Sequence, residues 1–189
     1  MRFLQIDVVS EPATTPVTVE EFTNHARLNG LTVDRQPELI ERELKAATKR
    51  GEQYCRRSFL TQTLRALFVP NGDDAAGVLV LPRGKVQAVT SIESPAGAVI
   101  DPATYTLEWN TVKLTSPLSG AATVVYDSGY GDDADDVPAG IKEGILEYAT
   151  LLYENRGGGR DQKYAAMAGQ GVPDGVRDLW RPFQIELGG

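Results

Sequence analysis

Residues 122–156 read ATVVYDSGYGDDADDVPAGIKEGILEYATLLYENR, and they join a strand, a turn, an acidic loop and a helix without interruption. The run from Thr123 to Tyr126 is β-branched and aromatic, which is typical of a strand that is at least half buried. Gly129 and Gly131 allow the backbone to turn, and Pro138 marks the first turn of a helix. The apolar stripe of that helix consists of Ile141, Ile145, Tyr148 or Ala149, and Leu152. The segment therefore predicts a strand and a helix that both need a covering layer.

The segments upstream can supply that layer. A short helix is predicted over residues 18–28, because Thr18 and Glu21 have the spacing of a capping box. A longer helix is predicted over 37–58. Between residues 61 and 127 the apolar residues alternate in short runs separated by turn residues, which predicts five or six antiparallel strands in a sheet or small barrel. The fold class is therefore α+β, a helical scaffold with an inserted antiparallel β region and a C-terminal helical arm.

Changes in pattern divide the chain into four regions. An apolar alternation followed by Pro and Thr opens the chain, and a polar, glycine-spaced segment after Arg156 is typical of a flexible linker. The predicted regions are an N-terminal arm (1–16), a core (17–156, with helices 18–28, 37–58 and 138–156 and the β region 61–127), a flexible link (157–171) and a C-terminal docking arm (172–189).

Composition restricts the classes of function. The chain has 189 residues, 41% of them hydrophobic, and a formal net charge of −7. This excess of negative charge argues against a surface that binds phosphate groups. No run approaches the ~20 apolar residues of a membrane helix, and no signal peptide is evident, so we expect a protein kept in the cytoplasm or in an assembly formed there. Cys55 and His25 are the single residues of their kinds, which excludes an internal disulfide, a thiolate zinc cluster and most histidine relays.

The remaining polar clusters favour structural roles. The acidic residues of the loop could suggest calcium, but the glycine and distal glutamate of an EF-hand are missing, and a solvated helix cap is the favoured interpretation. A surface or partly packed role is favoured for His25, and a buried, inert thiol for Cys55. The sequence predicts no catalytic residues, no metal site and no cofactor. The acidic set is Asp132, Asp133, Asp135 and Asp136. A basic set near the end of the long helix is interpreted as helix-end charges in preference to a contact with nucleic acid or an acidic partner; it consists of Lys49, Arg50, Arg56 and Arg57.

Three segments together resemble the head-tail connector family of tailed bacteriophages, also called head-completion or adaptor proteins. The first is YCRRSFLTQT (54–63), at the end of the long helix. The second is LPRGKVQAVTSI (81–92), followed by DPATY (101–105). The third is residues 124–156, with GYGD, VP and YENR in order. The N-terminal apolar segment and the glycine-rich link depart from the family's pattern.

The resemblance implies a structural protein without enzyme activity. Such a protein forms a ring that sits under the portal protein and extends the DNA channel. The symmetry of the portal implies twelve copies in the ring. Its partners would be the portal protein, a stopper or tail-completion protein, further copies of itself, and double-stranded DNA that passes without sequence-specific binding; no membrane is involved. It would lie in the neck of a virion or phage-like particle assembled in the bacterial cytoplasm. A gene transfer agent would use the same part.

The amphipathic C-terminal segment is the candidate interface. Its apolar stripe and flanking arginines could dock on a neighbour. The candidate interface residues are Arg156, Arg160, Val176, Leu179, Trp180, Arg181 and Phe183.

Two other functions remain open from the sequence. A small-ligand or carbohydrate-binding β module is suggested by Tyr105, Trp109 and Tyr126, although stacked core aromatics are the simpler interpretation. A hydrolase that uses a metal in the acidic loop is the other.

Overall fold

The chain is an α+β fold, as predicted, in which helical segments flank a block of antiparallel strands along the sequence. The computed structural model describes residues 2–28, 36–69, 76–118, 120–154 and 171–185. In these ranges the strands are β1 (Arg2–Ser10), β2 (Gln62–Val69), β3 (Ala76–Val80), β4 (Val86–Glu93), β5 (Tyr105–Glu108), β6 (Thr111–Leu118) and β7 (Ala122–Ser128). The α-helices are α1 (Val19–His25), α2 (Pro37–Cys55), α3 (Ala139–Glu154) and α4 (Asp174–Trp180), and 3-10 turns lie at Pro102–Thr104, Ala134–Asp136 and Arg181–Phe183.

The residues pack into two units. The β unit contains Met1–Ala13 and Arg56–Asp132, and the helical unit contains Thr14–Cys55 and Asp133–Gly189. The first strand therefore belongs to the β unit and α4 to the helical unit. The functional division into an N-terminal arm (1–16), a core (17–156), a link (157–171) and a docking arm (172–189) stays a prediction, and all of the link except Gly171 lies outside the described residues.

The β unit consists of two antiparallel sheets. The strand order is β1-β2-β7-β4 in the first and β3-β6-β5 in the second. The central strands β2 and β7 alternate buried and partly buried residues, which is typical of strands with one face on a core. Tyr126 of β7 is buried in that core, its hydroxyl donates to Pro82 O at 2.7 Å, and burial raises its pKa. The buried core of the unit consists of Leu64, Ala66, Phe68, Leu79, Leu81, Ile92, Val112, Val124 and Tyr126.

The turn after β7 is fixed by backbone hydrogen bonds on both sides. Gly129 N donates to Lys85 O at 3.2 Å, and Tyr130 N donates to Phe59 O at 3.2 Å. Thr61 N donates to Gly131 O at 2.9 Å. The predicted turn is thus confirmed, and it lies between the segment that leads into β2 and the loop before β4.

In the helical unit, α4 packs against α3 through an aromatic side chain. The Trp180 indole lies over Gly144, and its Nε1 donates to Ile141 O at 3.2 Å. The segment after α4 is bound to the end of α2, since Ile185 N donates to Cys55 O at 3.0 Å. Cys55 is buried, as predicted.

Two helix details differ from the sequence interpretation. The long helix ends at Cys55 rather than Ser58, because Arg56 takes a left-handed φ of 55°. No glycine or asparagine signals that end. On α3, Tyr153 is buried instead of Leu152, and its ring packs edge-on against Phe22 of α1 at a centroid distance of 5.8 Å.

The predicted capping box of α1 is confirmed. Thr18 Oγ1 accepts from Glu21 N at 3.1 Å, and Glu21 Oε2 accepts from Thr18 N at 2.7 Å. Glu21 also pairs with Lys142 of α3 at 2.8 Å. Partial burial alone would raise the pKa of Glu21, but the hydrogen bonds from Lys142 and Thr18 outweigh it and lower that pKa from its ordinary 4.5.

This box gives a pH-dependent prediction. Thr18→Ala is expected to lower the free energy of unfolding by about 1 kcal/mol. Glu21→Gln keeps a capping acceptor but loses the charge, so it is expected to cost a few tenths of a kcal/mol at about pH 7. The pKa of Glu21 is lower in the folded chain than in the unfolded chain. The Glu21 charge therefore stabilises the folded state at pH values above the unfolded pKa, and this contribution is lost as the pH falls through the folded pKa.

Urea unfolding followed by circular dichroism, in steps from about pH 7 to about pH 3.5, measures the difference between wild type and variant. Glu20→Gln is the matched control, because Glu20 is exposed in the same helical turn. A difference for Glu21→Gln that stays constant with pH would contradict the assignment.

Candidate interaction surfaces

The predicted interface residues of the C-terminal segment are partly core residues. Val176 and Trp180 of α4 are only 3% and 0% exposed. Leu179 and Phe183 are half-buried, and Arg181 is exposed. Arg156 and Arg160 lie outside the described residues. The interface role of this set stays a prediction, but Val176 and Trp180 are covered by their own helical unit.

The aromatic surroundings of Trp180 explain its burial. Its ring lies 6.1 Å from that of Tyr54 on α2 and 6.0 Å from that of Tyr148 on α3, between ring centroids. Cys55 Sγ lies 3.6 Å from Trp180 O. A seven-residue helix held by one large aromatic side chain and a hydrogen-bonded tail is an anchored element of this unit.

The large apolar side chains that are exposed, among the described residues, lie in the β unit. They fall on the first strand, on β3 and on two loops or turns of the strand block. The set is Phe3, Leu4, Val8, Val9, Val78, Val80, Val99 and Trp109. Exposed apolar side chains that neighbour one another along a strand, as on β1, are candidates for protein contacts.

β1 contributes half of this set. Its cross-strand partners on β2 shift between Phe3 and Gln5 and again between Val8 and Ser10, so Leu4 and Val9 stand opposite no residue. These two side chains are 53% and 50% exposed. The strand is nevertheless attached, since Ile6 packs on the core of the unit and the ring of Phe3 lies 6.1 Å from that of Phe68. β1 is therefore a bound edge strand with apolar side chains left uncovered.

The hairpin between β5 and β6 presents the most exposed of these side chains. Trp109 is 92% exposed in a two-residue turn and has a left-handed φ of 59°. That conformation is unusual for a tryptophan, because such turns prefer Asn, Asp or Gly. Glu108 and Lys113 form an ion pair at 2.5 Å beside it.

The aromatic set of the ligand-binding hypothesis is not a shared platform. Tyr126 is buried with its hydroxyl bonded, and Tyr105 packs on the core. Of the three, Trp109 is exposed, Tyr105 is partly buried and Tyr126 is fully buried. Sequence reasoning found Trp109 but gave no signal of its turn position.

The acidic loop contains a short 3-10 turn. Its four aspartates are exposed, and Asp136 Oδ2 accepts from Asp133 N at 3.1 Å, which closes the 3-10 turn Ala134–Asp136. The helix then begins at Ala139, directly after Pro138. The Asp136 carboxylate therefore closes a turn that precedes α3, and the role of the aspartates as a helix cap stays a prediction.

Within the described ranges, one group has three potential metal-ligand atoms within 4.8 Å of one another: His25, Glu143 and Glu147. His25 Nδ1 lies 4.0 Å from Glu143 Oε1, and Nε2 lies 3.8 Å from Glu147 Oε1. Both carboxylates are about half exposed. The two ring nitrogens of His25 face different carboxylates, both on α3. His25 is thus partly packed, as favoured from the sequence.

None of the described helices combines the length and the apolar character needed to cross a bilayer.

The fold is shared with chains of a gene transfer agent particle. No protein-family model and no curated protein matches the sequence. A chain from the virion of the native gene transfer agent (GTA) particle matches with a TM-score of 0.75 at 18% identity, over 98% of this chain and 99% of that chain. A chain from the neck of the empty GTA particle, computed with C6 symmetry, matches with 0.75 at 20% identity over the same shares. A chain from the neck of the native GTA particle, computed with C12 symmetry, matches with 0.72 at 18% identity over 98% and 99%.

The extent of these matches gives them weight. Because nearly all of both chains is covered, the likeness concerns the whole order of helices and strands and not one common motif. At 18–20% identity it shows a common fold.

Proposed function

We propose that this protein is a structural component of the neck of a tailed phage or phage-like particle. In this role it is the adaptor that forms a ring under the portal, extends the DNA channel and joins the head to stopper or tail proteins. The observation that carries the proposal is the likeness to GTA neck and virion chains over 98% of the sequence. The motifs at 54–63, 81–92 with 101–105, and 124–156 support the adaptor family in particular.

The surface of the β unit supports assembly. An isolated chain that leaves β1, part of β3 and Trp109 uncovered has apolar surface available for neighbours. We propose twelve copies in the ring, in keeping with the C12 symmetry used for the GTA neck. The ring would need no cofactor and would have no enzyme activity.

The charge of the chain supports a passive channel. A formal net charge of −7 repels DNA phosphates on average. Double-stranded DNA could then pass without being held, whereas a lysine-rich wall would retain it.

The proposed location of the protein is the neck of a particle that is assembled in the bacterial cytoplasm.

Binding to isolated portal rings tests the adaptor role. The purified chain is mixed with portal protein from the same particle, with no other neck component present, and followed by size-exclusion chromatography with light scattering. We expect co-migration and an added layer on one end of the portal in negative-stain images. A stopper or tail-completion protein would not bind portal alone, so this arrangement separates the adaptor from other neck roles.

Portal with an unrelated acidic protein of similar mass is the control. Separate migration of the two proteins over the accessible concentration range, with no added layer in images, would contradict the proposal.

A further inference from the structure

We propose that copies of this chain join head to tail through the margins of the four-stranded sheet, with β1 of one copy paired to β4 of the next. This inference rests on the ring of the proposed function and names the surface that builds it. The order β1-β2-β7-β4 places these strands at opposite margins of one sheet. Two different margins on one molecule allow a heterologous contact that repeats around a ring.

Both margins are open in the part of the chain that the structure describes. β1 pairs only with β2, and β4 pairs with β7. The last residues of β4 are covered, because Ile100 N donates to Ile92 O at 2.8 Å and Glu93 bridges to Val99. The open length of β4 is therefore 86–91, in which Ala88 and Thr90 are exposed. Open margins carry unpaired backbone donors and acceptors that can bind another strand.

Strand polarity favours neighbours in the same orientation. All three pairings in the sheet are antiparallel. Because the sheet has four strands, β1 and β4 run in opposite directions. A second copy placed beside β4 without inversion therefore brings its β1 antiparallel to it. Copies related by rotation about a ring axis can keep this relation at every contact, and each strand would sit about 4.8 Å from the next.

Exposed apolar side chains at the β1 margin agree with a contact between copies. The half-exposed Leu4 and Val9 of β1 would gain cover from the adjoining copy.

Self-pairing of β1 with β1 is the rival arrangement. It would also be antiparallel and would also cover the apolar residues. It gives a closed two-fold dimer, however, and leaves β4 open, so it cannot by itself build a ring.

Engineered disulfides in the portal-bound ring distinguish these arrangements. The matched pairs are Gln5→Cys with Ser91→Cys, and Asp7→Cys with Ala88→Cys, each pair placed in one chain and oxidised. The spacing allows for the bulge between Val89 and Ser91, which makes residues 88–91 span two steps of the ladder. We expect a ladder of covalent multimers on non-reducing gels. The swapped pairs, position 5 with 88 and position 7 with 91, are the control, because antiparallel strands would hold them about 8 Å apart, beyond the ~7 Å reach of a disulfide. The native Cys55 is buried and serves as background.

The outcomes separate this inference from the proposed function. A ladder from the matched pairs, with no adduct from any single-cysteine variant, supports the β1–β4 contact. Covalent dimers from Gln5→Cys alone overturn it in favour of self-pairing. Rings on the portal that give no adduct from either matched pair also overturn it, while the adaptor role stands. Absence of rings on the portal rejects the ring itself and the contact with it.

Discussion

Gly129→Ala is expected to lower the free energy of unfolding of the β unit by about 3 kcal/mol or more. A Cβ at this position would lie 2.5 Å from Leu60 C and from Thr61 N, and 2.6 Å from Leu60 O. All three are backbone atoms, so no side chain can rotate away to make room. The two segments must separate or the turn must change course.

Either movement costs free energy, because hydrogen bonds hold the turn on both sides. The bonds from Gly129 N to Lys85 O and from Thr61 N to Gly131 O would lengthen or break. A buried backbone group that loses its partner costs about 1–3 kcal/mol. Amide hydrogen exchange in β2 and β7, together with urea unfolding followed by circular dichroism, measures the loss.

Gly97→Ala is the matched control for this prediction. Gly97 has a left-handed φ of 77°, but a Cβ there would meet nothing within 4 Å. Its substitution is expected to cost about 1 kcal/mol from conformation alone. Equal losses in the free energy of unfolding at the two positions would contradict the prediction, because they would show that the close backbone contact at Gly129 adds no cost.

The turn at Gly129 shows how far sequence reasoning extends. The β-branched run from Thr123 to Tyr126 and the glycines after it are local signals, and both were confirmed as strand and turn. The crossing at Leu60 joins residues that lie far apart in the sequence, and no local pattern encodes it. The capping box of Thr18 and Glu21 is likewise local, and it was confirmed.

The candidate interface shows where such reasoning stops. The stripe that includes Val176 and Trp180 says that one face of a short helix is covered, but it does not say whether the cover comes from the same chain or from a neighbour. In the described structure the cover of these two side chains comes from the same chain. The uncovered apolar residues lie instead in the β unit, and among them Leu4 and Val9 stand at bulges of β1 and Trp109 in a left-handed turn. Bulge positions depend on pairing register, which the alternation of apolar residues alone does not determine.

The close contact of Trp180 with Gly144 gives the second large effect. A Cβ at position 144 would lie 2.7 Å from Trp180 Cδ1 and 2.8 Å from Cε2, and closer still to Nε1. Gly144→Ala is therefore expected to displace the indole and break its hydrogen bond to Ile141 O. Overpacking of this kind costs up to about 3 kcal/mol, and the better helix propensity of alanine returns about 1 kcal/mol. We expect a net loss of about 2 kcal/mol in the free energy of unfolding.

Gly175→Ala is the control for this substitution, since a Cβ at that position of α4 meets nothing within 4 Å. It is expected to leave the stability unchanged or to raise it by up to about 1 kcal/mol. Fluorescence in a Trp109→Phe background isolates Trp180, because the chain has two tryptophans. The Gly144→Ala variant should then show a red-shifted emission and greater quenching by acrylamide.

A double-mutant cycle identifies the cause of the loss. Trp180→Ala alone is expected to cost about 3–5 kcal/mol, because it empties a buried aromatic site. In the Trp180→Ala background the clash is gone, so Gly144→Ala should become neutral or stabilising, and the two costs should fall short of their sum. Additive costs would show that the glycine is required for another reason.

The same cycle bears on docking, because a docking role for Val176 or Trp180 requires α4 to leave α3. Gly144→Ala should then strengthen binding to the partner that captures the helix, while it weakens the isolated chain.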